Sequence, residues 1–414
     1  PSILSASGMD ANAIVMATAL AAFIGTLCMA LLANYPFALA PGLGLNAYFA
    51  YTVCGTMGYD WKIALMAVFA EGIIFIVLSL TNVREAIFNA IPMQLKKGVS
   101  VGIGLFVAFI GLQNGHIVVN SDSTLVTVVN FTENFHTVGI AALLCLIIIA
   151  VLHIKNVKGS FLIGIFATWI LGIICQLTGI YTVDVDAGFY SLIPTQWVSF
   201  DFSSLGETFG QCFRADMGRV NALDFVVIIF AFLFVDMFDT IGTLIGVANK
   251  ADMLDENGNL ERIKPALLAD AIATSAGAIL GTSTTTTFVE SSSGVSEGAR
   301  TGLASVVTGF LFLLAIIFAP VFTTIPGFAT APALIFVGFL MVSAVVDIDF
   351  NDPAESIPAY LCMIAMPLLY SISEGIAVGV ISYVVINIVV GKAKKIHPLM
   401  YILAVLFVLK YIFL

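Results

Sequence analysis

The sequence predicts an all-α polytopic membrane protein, and three observations carry that prediction. Hydrophobic residues make up 60% of the 414 and charged residues only 10%, against roughly 25% charged in a soluble domain. Mean hydropathy is +1.07, so a water-facing surface cannot be built from this chain. Apolar runs recur from end to end, each near the ~20 residues that a helix needs to cross a bilayer.

Taken in order, apolar segments fall at 12–34, 36–57, 62–81, 97–113, 137–153, 160–180, 224–247, 265–280, 283–300, 301–322, 328–347, 356–371, 374–391 and 397–414. Glu374 interrupts one long stretch, which leaves the number of final segments open. The chain opens at Pro1 with PSILSASGMD. That stretch lacks the basic and apolar regions of a signal peptide and reads as the tail of a preceding spanning helix. Basic residues gather at Arg84, Lys96 and Lys97, at Lys155 and Lys158, at Lys250, Arg262 and Lys264, and at Lys392, Lys394 and Lys395. The positive-inside rule makes these loops cytoplasmic. The stretches 114–136 and 323–327 hold no Lys or Arg, and 181–222 holds only Arg214 and Arg219, so these belong on the far side.

Two segments break the pattern. LLANYPFALAPGLGLNAYFAYTV carries two Pro and two Gly, and GTSTTTTFVESSSGVSEGART is crowded with Ser and Thr. Each follows a full apolar helix, and the loop charges make the two cross in opposite directions. Irregular backbone survives at membrane depth only where it is buried in protein or lines a wet cavity. Paired interrupted segments point to a secondary-transporter site built from inverted repeats. Pro36 to Pro41 and TTTTFV are expected to run extended. Leu45 to Val53, and a helix starting at Ser292, Ser293 and Gly294, are expected as half-helices, the latter with N–H groups toward a ligand. Two kinked spanning helices with Ser/Thr packing faces are the alternative.

Asp236 and Asp239 lie three residues apart and share a helix face. An uncharged run precedes them, which sets the pair inside the bilayer, where an unpaired acid costs about 2.5–3.5 kcal/mol. Two on one face need a polar cavity or a proton, which suits a coupling site; a structural interhelical hydrogen bond is the other reading. Glu290 falls at the junction of extended piece and half-helix. A carboxylate there can accept paired N–H donors from an edge such as guanine N1–H and N2–H2, the stronger kind of hydrogen bond. Asn46, opening the first half-helix, offers a donor and an acceptor suited to a purine O6/N7 edge, or serves as a cap. Phe37, Phe238 and Phe288 are candidate stacking faces among 33 Phe. Glu297 and Arg300 read as a structural i,i+3 pair. Glu71, Asp270 and Glu374 are further acids in or near apolar segments, with Glu71 mid-segment and gating or packing as their plain roles.

The net charge of −10 says little about partners, and no basic tract suggests nucleic acid. Of six Cys only Cys212 lies in an evident loop, and His116, His136, His153 and His397 fall near segment ends without ligand spacing. No disulfide framework, metal site or cofactor is expected. An intramembrane enzyme would need a motif such as HExxH or GxSxG, which the chain lacks; Asp236 with Glu290 as an aspartyl-type pair is what remains of that reading. An anion transporter of the same architecture, of sulfate or bicarbonate type, is disfavoured because the site supplies carboxylates.

NYPFALAPGLGLNAYFAYTV, FVDMFDTIGTLIGVANK and GTSTTTTFVESSSGVSEGARTGLASVVTG together resemble the azaguanine-type (AzgA-like) guanine/hypoxanthine permeases, a branch of the nucleobase–ascorbate (xanthine/uracil) transporter superfamily. The resemblance covers essentially the whole chain. It implies two inverted seven-helix repeats, with two broken helices containing short antiparallel strands, divided into core and gate domains. On that pattern 1–81 and 223–322 are core, with the first helix missing, and 82–222 and 323–414 are gate. The implied activity is proton-coupled, elevator-like import of purine nucleobases across a plasma (bacterial inner) membrane, with the proton as coupling ion and a homodimer as assembly. Carried over by motif, Asn46, Asp236 and Glu290 would bind substrate, and Asp239 would share the coupling proton with Asp236; the stacking candidates Phe37 and Phe288 come from the residues and not from the motif. The segment 397–414 exceeds the implied helix count.

Overall fold

A computed structural model describes residues 2–130, 139–155, 157–184, 189–199, 202–256, 258–322 and 324–413. In chain order, α1 (Ser2–Ser5) and α2 (Ala11–Cys28) lead to strand β1 (Leu39–Pro41), the short α3 (Leu43–Ala47), α4 (Trp61–Leu80), α5 (Val83–Ala90) and α6 (Met93–Asn114). A hairpin of β2 (Val118–Ser121) and β3 (Leu125–Val128) precedes α7 (Gly139–Ile154), α8 (Ser160–Leu177) and α9 (Leu205–Thr208). The long α10 (Ala222–Lys250) and α11 (Ile263–Leu280) are followed by β4 (Thr285–Thr287), the short α12 (Ser291–Ser296), α13 (Gly302–Ile317) and α14 (Ala319–Phe322). The chain ends in α15 (Gly327–Val342), α16 (Pro353–Leu368), α17 (Ile372–Val389) and α18 (Pro398–Phe413). Among the described residues, eight helices are long and apolar enough to cross a membrane; the remaining apolar segments are shorter or broken.

Local chemistry explains where the helices begin and stop. Asp10 accepts the Ala13 N–H and Asp60 the Lys62 N–H, each at 2.8 Å, capping α2 and α4. After Cys28 the helix widens into a π-turn over Met29–Ala33 and stops at Asn34, which takes the left-handed conformation at φ 56°. Gly281 ends α11 at φ +102°, where a Cβ would stand 2.6 Å from the Thr208 Oγ1, so glycine is required twice over.

The chain forms two compact units. The first comprises Pro1–Ile103, Phe200–Ile316 and Ala344–Leu414; the second comprises Gly104–Ser199 and Ile317–Ser343. In the first, α11 packs along both α2 and α4 through small residues. A Cβ on Gly25 would meet Ala273 at 2.6 Å, and one on Gly72 would meet the Ser275 backbone N at 2.8 Å. Such close backbones are how membrane helices associate when lipid is as apolar as leucine. In the second unit, α15 packs against α7 and α8, and Trp169, Tyr181, Leu192 and Phe328 form its buried cluster.

Several expectations change. The stretch 114–136, read as a plain loop, contains the β2–β3 hairpin. Cys212, read as a loop residue, is buried in a short 3-10 turn. Arg84 and Lys96, taken as loop cations, are both 0% exposed. Lys96 donates to the Gly258 carbonyl at 2.6 Å and lies over the Phe88 ring. The stretch around Glu374 resolves into two helices. Tyr370 turns at φ 54°, Ser371 caps α17 by accepting the Glu374 N–H, and α18 follows separately. His136 lies outside the described residues.

Candidate functional site

The two broken segments meet. Strand β1 pairs antiparallel with β4, setting Leu39 opposite Thr287, Ala40 opposite Thr286 and Pro41 opposite Thr285. Each strand links a long helix to a short one, α2–β1–α3 and α11–β4–α12. Antiparallel pairing therefore runs the two units in opposite senses, as an inverted repeat requires. The crowding of Ser and Thr has a physical cause here. Extended backbone inside a membrane must find every partner within the protein. Thr26 accepts the Leu39 N–H at 2.9 Å, Thr274 donates to the Thr285 carbonyl at 2.9 Å, and Ser291 accepts the Ala38 N–H at 2.9 Å. The Gly42 N–H reaches the Thr284 carbonyl and the Phe288 N–H reaches the Ala38 carbonyl. Ser305 donates to the carbonyls of Tyr35 and Phe37.

Around this strand pair stand four fully buried ionisable side chains: Glu71, Arg84, Asp236 and Asp270. Arg84 forms an ion pair with Asp270 at 2.8 Å, donates to the Leu267 carbonyl at 3.0 Å and lies over the Phe75 ring. Thr240, one turn beyond Asp236 on α10, places its hydroxyl 3.0 Å from Asp270 Oδ1, 2.6 Å from Thr286 Oγ1 and 3.4 Å from Asp236 Oδ1. Thr284 donates to Glu71 Oε2 at 2.8 Å. Among the described residues, Asp236 Oδ2 and Glu71 Oε1 have no hydrogen-bond partner. A buried carboxyl left that way needs a proton or a donor from elsewhere.

The residues singled out from the sequence divide into two groups. Asn46 on α3 accepts from the Ser283 hydroxyl, just before β4. Asp236 reaches β4 through Thr240 and Thr286, and the half-buried Glu290 takes the N-cap position of α12, just after β4, with its side chain making no cap hydrogen bond. These three lie on elements that meet at one strand pair, and Phe288 sits half-buried beside Glu290. Phe37 is instead fully buried and stacks on Tyr35 with ring centroids 5.1 Å apart. Phe238 packs against Phe234 and Phe407. Asp239 is turned toward the last helices, near the Ser373 backbone on α17 and within the field of Lys410 on α18. Lys410 also forms an ion pair with Glu374.

The sequence reading missed Arg84 and the threonines. Arg84, Ile87 and Phe88 occupy one face of α5, and all three are buried; an i, i+3, i+4 pattern shared with apolar residues was the available signal. Thr240 lay four residues after Asp236, so the same helix face could have shown it. Arg300 donates to the carbonyls of Val295 and Ala299.

The model of the Permease family (Xan_ur_permease) matches residues 1–378. The guanine/hypoxanthine permease PbuG of Bacillus subtilis is 45% identical over 98% of this chain and 88% of its own length. The adenine permease AdeP of Escherichia coli is 40% identical over 100% of this chain and 88% of its own. Among solved structures, the transmembrane domain of the cyanobacterium bicarbonate transporter BicA aligns over 92% of this chain and 93% of its own, with a TM-score of 0.52 at 15% identity. That last likeness concerns the fold alone.

Proposed function

The chain belongs to the Permease family, and from that premise we propose that it imports purine nucleobases, guanine and hypoxanthine foremost, in symport with protons. The observation that carries the reading is the convergence on β4 of Asn46, Asp236 and Glu290 from three separate elements. Two carboxyls and an amide offer acceptors to purine N–H groups and a donor to a purine carbonyl or ring nitrogen. Relatives whose names specify guanine/hypoxanthine and adenine support a purine over an inorganic anion, as does a site furnished with carboxylates. Asp236, with one oxygen unpartnered in a fully buried position, supports proton coupling.

In this reading Asp236 and Glu290 clamp the base, Asn46 holds its O6/N7 edge, Phe288 covers one face and Asp239 shares in the coupling. The segments 1–81 and 223–322 form a core that moves, elevator-like, against a gate of 82–222 and 323–414. The protein works in the plasma membrane with its basic loops cytoplasmic, and it assembles as a homodimer. Uptake of radiolabelled guanine, hypoxanthine, adenine and uracil into proteoliposomes tests the proposal. Guanine and hypoxanthine are expected to accumulate faster under an inward proton gradient. Purine uptake indifferent to the gradient removes the coupling; no purine uptake removes the substrate.

A further inference from the structure

We infer that Thr240 is a positioning residue, whose hydroxyl ties the proton carried by Asp236 to the buried Arg84–Asp270 pair and to strand β4. The inference rests on the transport reading only in holding that Asp236 exchanges a proton. Its own support is a count of hydrogens.

Three carboxyls, Glu71, Asp236 and Asp270, are buried with a single guanidinium, that of Arg84. Arg84 bonds Asp270 directly, so Asp270 is the carboxyl with its charge matched. Burying a second and third carboxylate beside it without counter-charge is prohibitive. Asp236 therefore carries a proton or meets a donor. The other charged groups near it are Glu71 from α4, Arg84 from α5, Asp270 from α11 and Asp239 on its own helix. Glu290 stands on α12, and Glu374 and Lys410 stand on α17 and α18 beyond Asp239.

The Thr240 oxygen sits among three oxygens, those of Thr286, Asp270 and Asp236, at 2.6, 3.0 and 3.4 Å. It owns one hydrogen and can accept two. With Asp236 protonated at Oδ1, every position on the Thr240 hydroxyl is filled. Asp236 donates to Thr240, Thr286 donates to Thr240, and Thr240 donates to the ionised Asp270. Once Asp236 loses its proton, Asp236 and Asp270 compete for the one Thr240 hydrogen, and the Asp236 donation onto Thr240 is gone. The hydroxyl thus favours the protonated form of Asp236. Thr286 lies opposite Ala40 in the β1–β4 pair, so the Thr240 hydroxyl links Asp236 to the strand between the two half-helices.

Thr240→Val keeps the shape and removes the hydroxyl, whereas Thr240→Ser keeps the hydroxyl. In the purified protein without substrate, the infrared carbonyl stretch of the protonated acid, assigned by its disappearance in Asp236→Asn, is titrated. The midpoint is expected to fall by about half a unit to one unit in Thr240→Val, the size of one lost hydrogen bond to the neutral form, and to stay in place in Thr240→Ser. Gradient-driven guanine uptake in proteoliposomes should shift to lower pH in parallel. Thr240→Ala gives the same comparison if the valine variant does not fold. An unchanged infrared midpoint in the valine or alanine variant overturns the assignment. A displaced infrared midpoint alongside uptake that ignores pH even in the unaltered protein upholds Thr240 and sinks proton symport instead.

Discussion

Glu290 carries the specificity argument at the scale of single residues. It holds the N-cap position of α12 without spending its side chain on a cap, and in the proposed function its carboxylate receives the base. Guanine offers two parallel N–H donors on one edge and hypoxanthine offers one. Glu290→Gln replaces a charged double acceptor with a neutral amide. A charge-assisted hydrogen bond contributes about 1.5–3 kcal/mol, so guanine uptake at low concentration should fall about ten- to hundredfold, and hypoxanthine uptake by clearly less. Competition of each base against labelled hypoxanthine measures this, and equal losses would sink the bidentate arrangement. The acids of the site were legible because charge inside an apolar run is conspicuous. Arg84 was not: a cation near a segment end looks like a loop cation until its partner Asp270 is known. The threonines were invisible for another reason. They serve both the strand backbone and the carboxyls, and the sequence does not say which of the crowd does which.

Secondary-structure elements owe their closeness here to missing side chains. Gly72 faces Ser275 across the α4–α11 contact, and a Cβ would stand 2.8 Å from the Ser275 backbone N and 3.0 Å from its Cα. Backbone cannot swing aside, so Gly72→Val must part the helices or strain them, at a cost of about 1–3 kcal/mol. The purified variant should unfold several degrees lower than the unaltered protein in a detergent melt. Because Glu71 is the preceding residue and accepts from Thr284, base binding is expected to weaken as well. An unchanged melting temperature would show that α4 and α11 do not meet so closely. Breaks in both segments could be read from Pro, Gly and Ser/Thr. The register of β1 on β4 could not, since a three-residue pairing across 246 positions leaves no periodic trace. The β2–β3 hairpin was missed because that stretch was weighed by its charges alone, although Val118, Val119 and Leu125–Val128 carry strand-forming side chains.

For the whole molecule, the arrangement of α10 sets the problem of coupling. Two acids three residues apart on this helix face different neighbours. Asp236 looks to α11 and β4 through Thr240, while Asp239 looks to Ser373 on α17 and to Lys410 on α18. Lys410 divides its charge between Asp239 and Glu374, so α18, the segment that exceeded the implied helix count, is tied to the acid pair by charge. A proton arriving at Asp239 would remove one of the charges that Lys410 feels and leave Glu374 as its ion-pair partner. Asp239→Asn fixes the first condition permanently, removing the charge and keeping the shape of the side chain. Purine uptake down a concentration gradient should therefore survive, and the stimulation by an inward proton gradient should be lost. Uptake measured at equal purine concentration with and without an imposed pH difference separates the two. If the variant responds to the gradient as the unaltered protein does, Asp239 is a structural acid of the α10–α17 contact, and the proposed coupling must be carried by another acid.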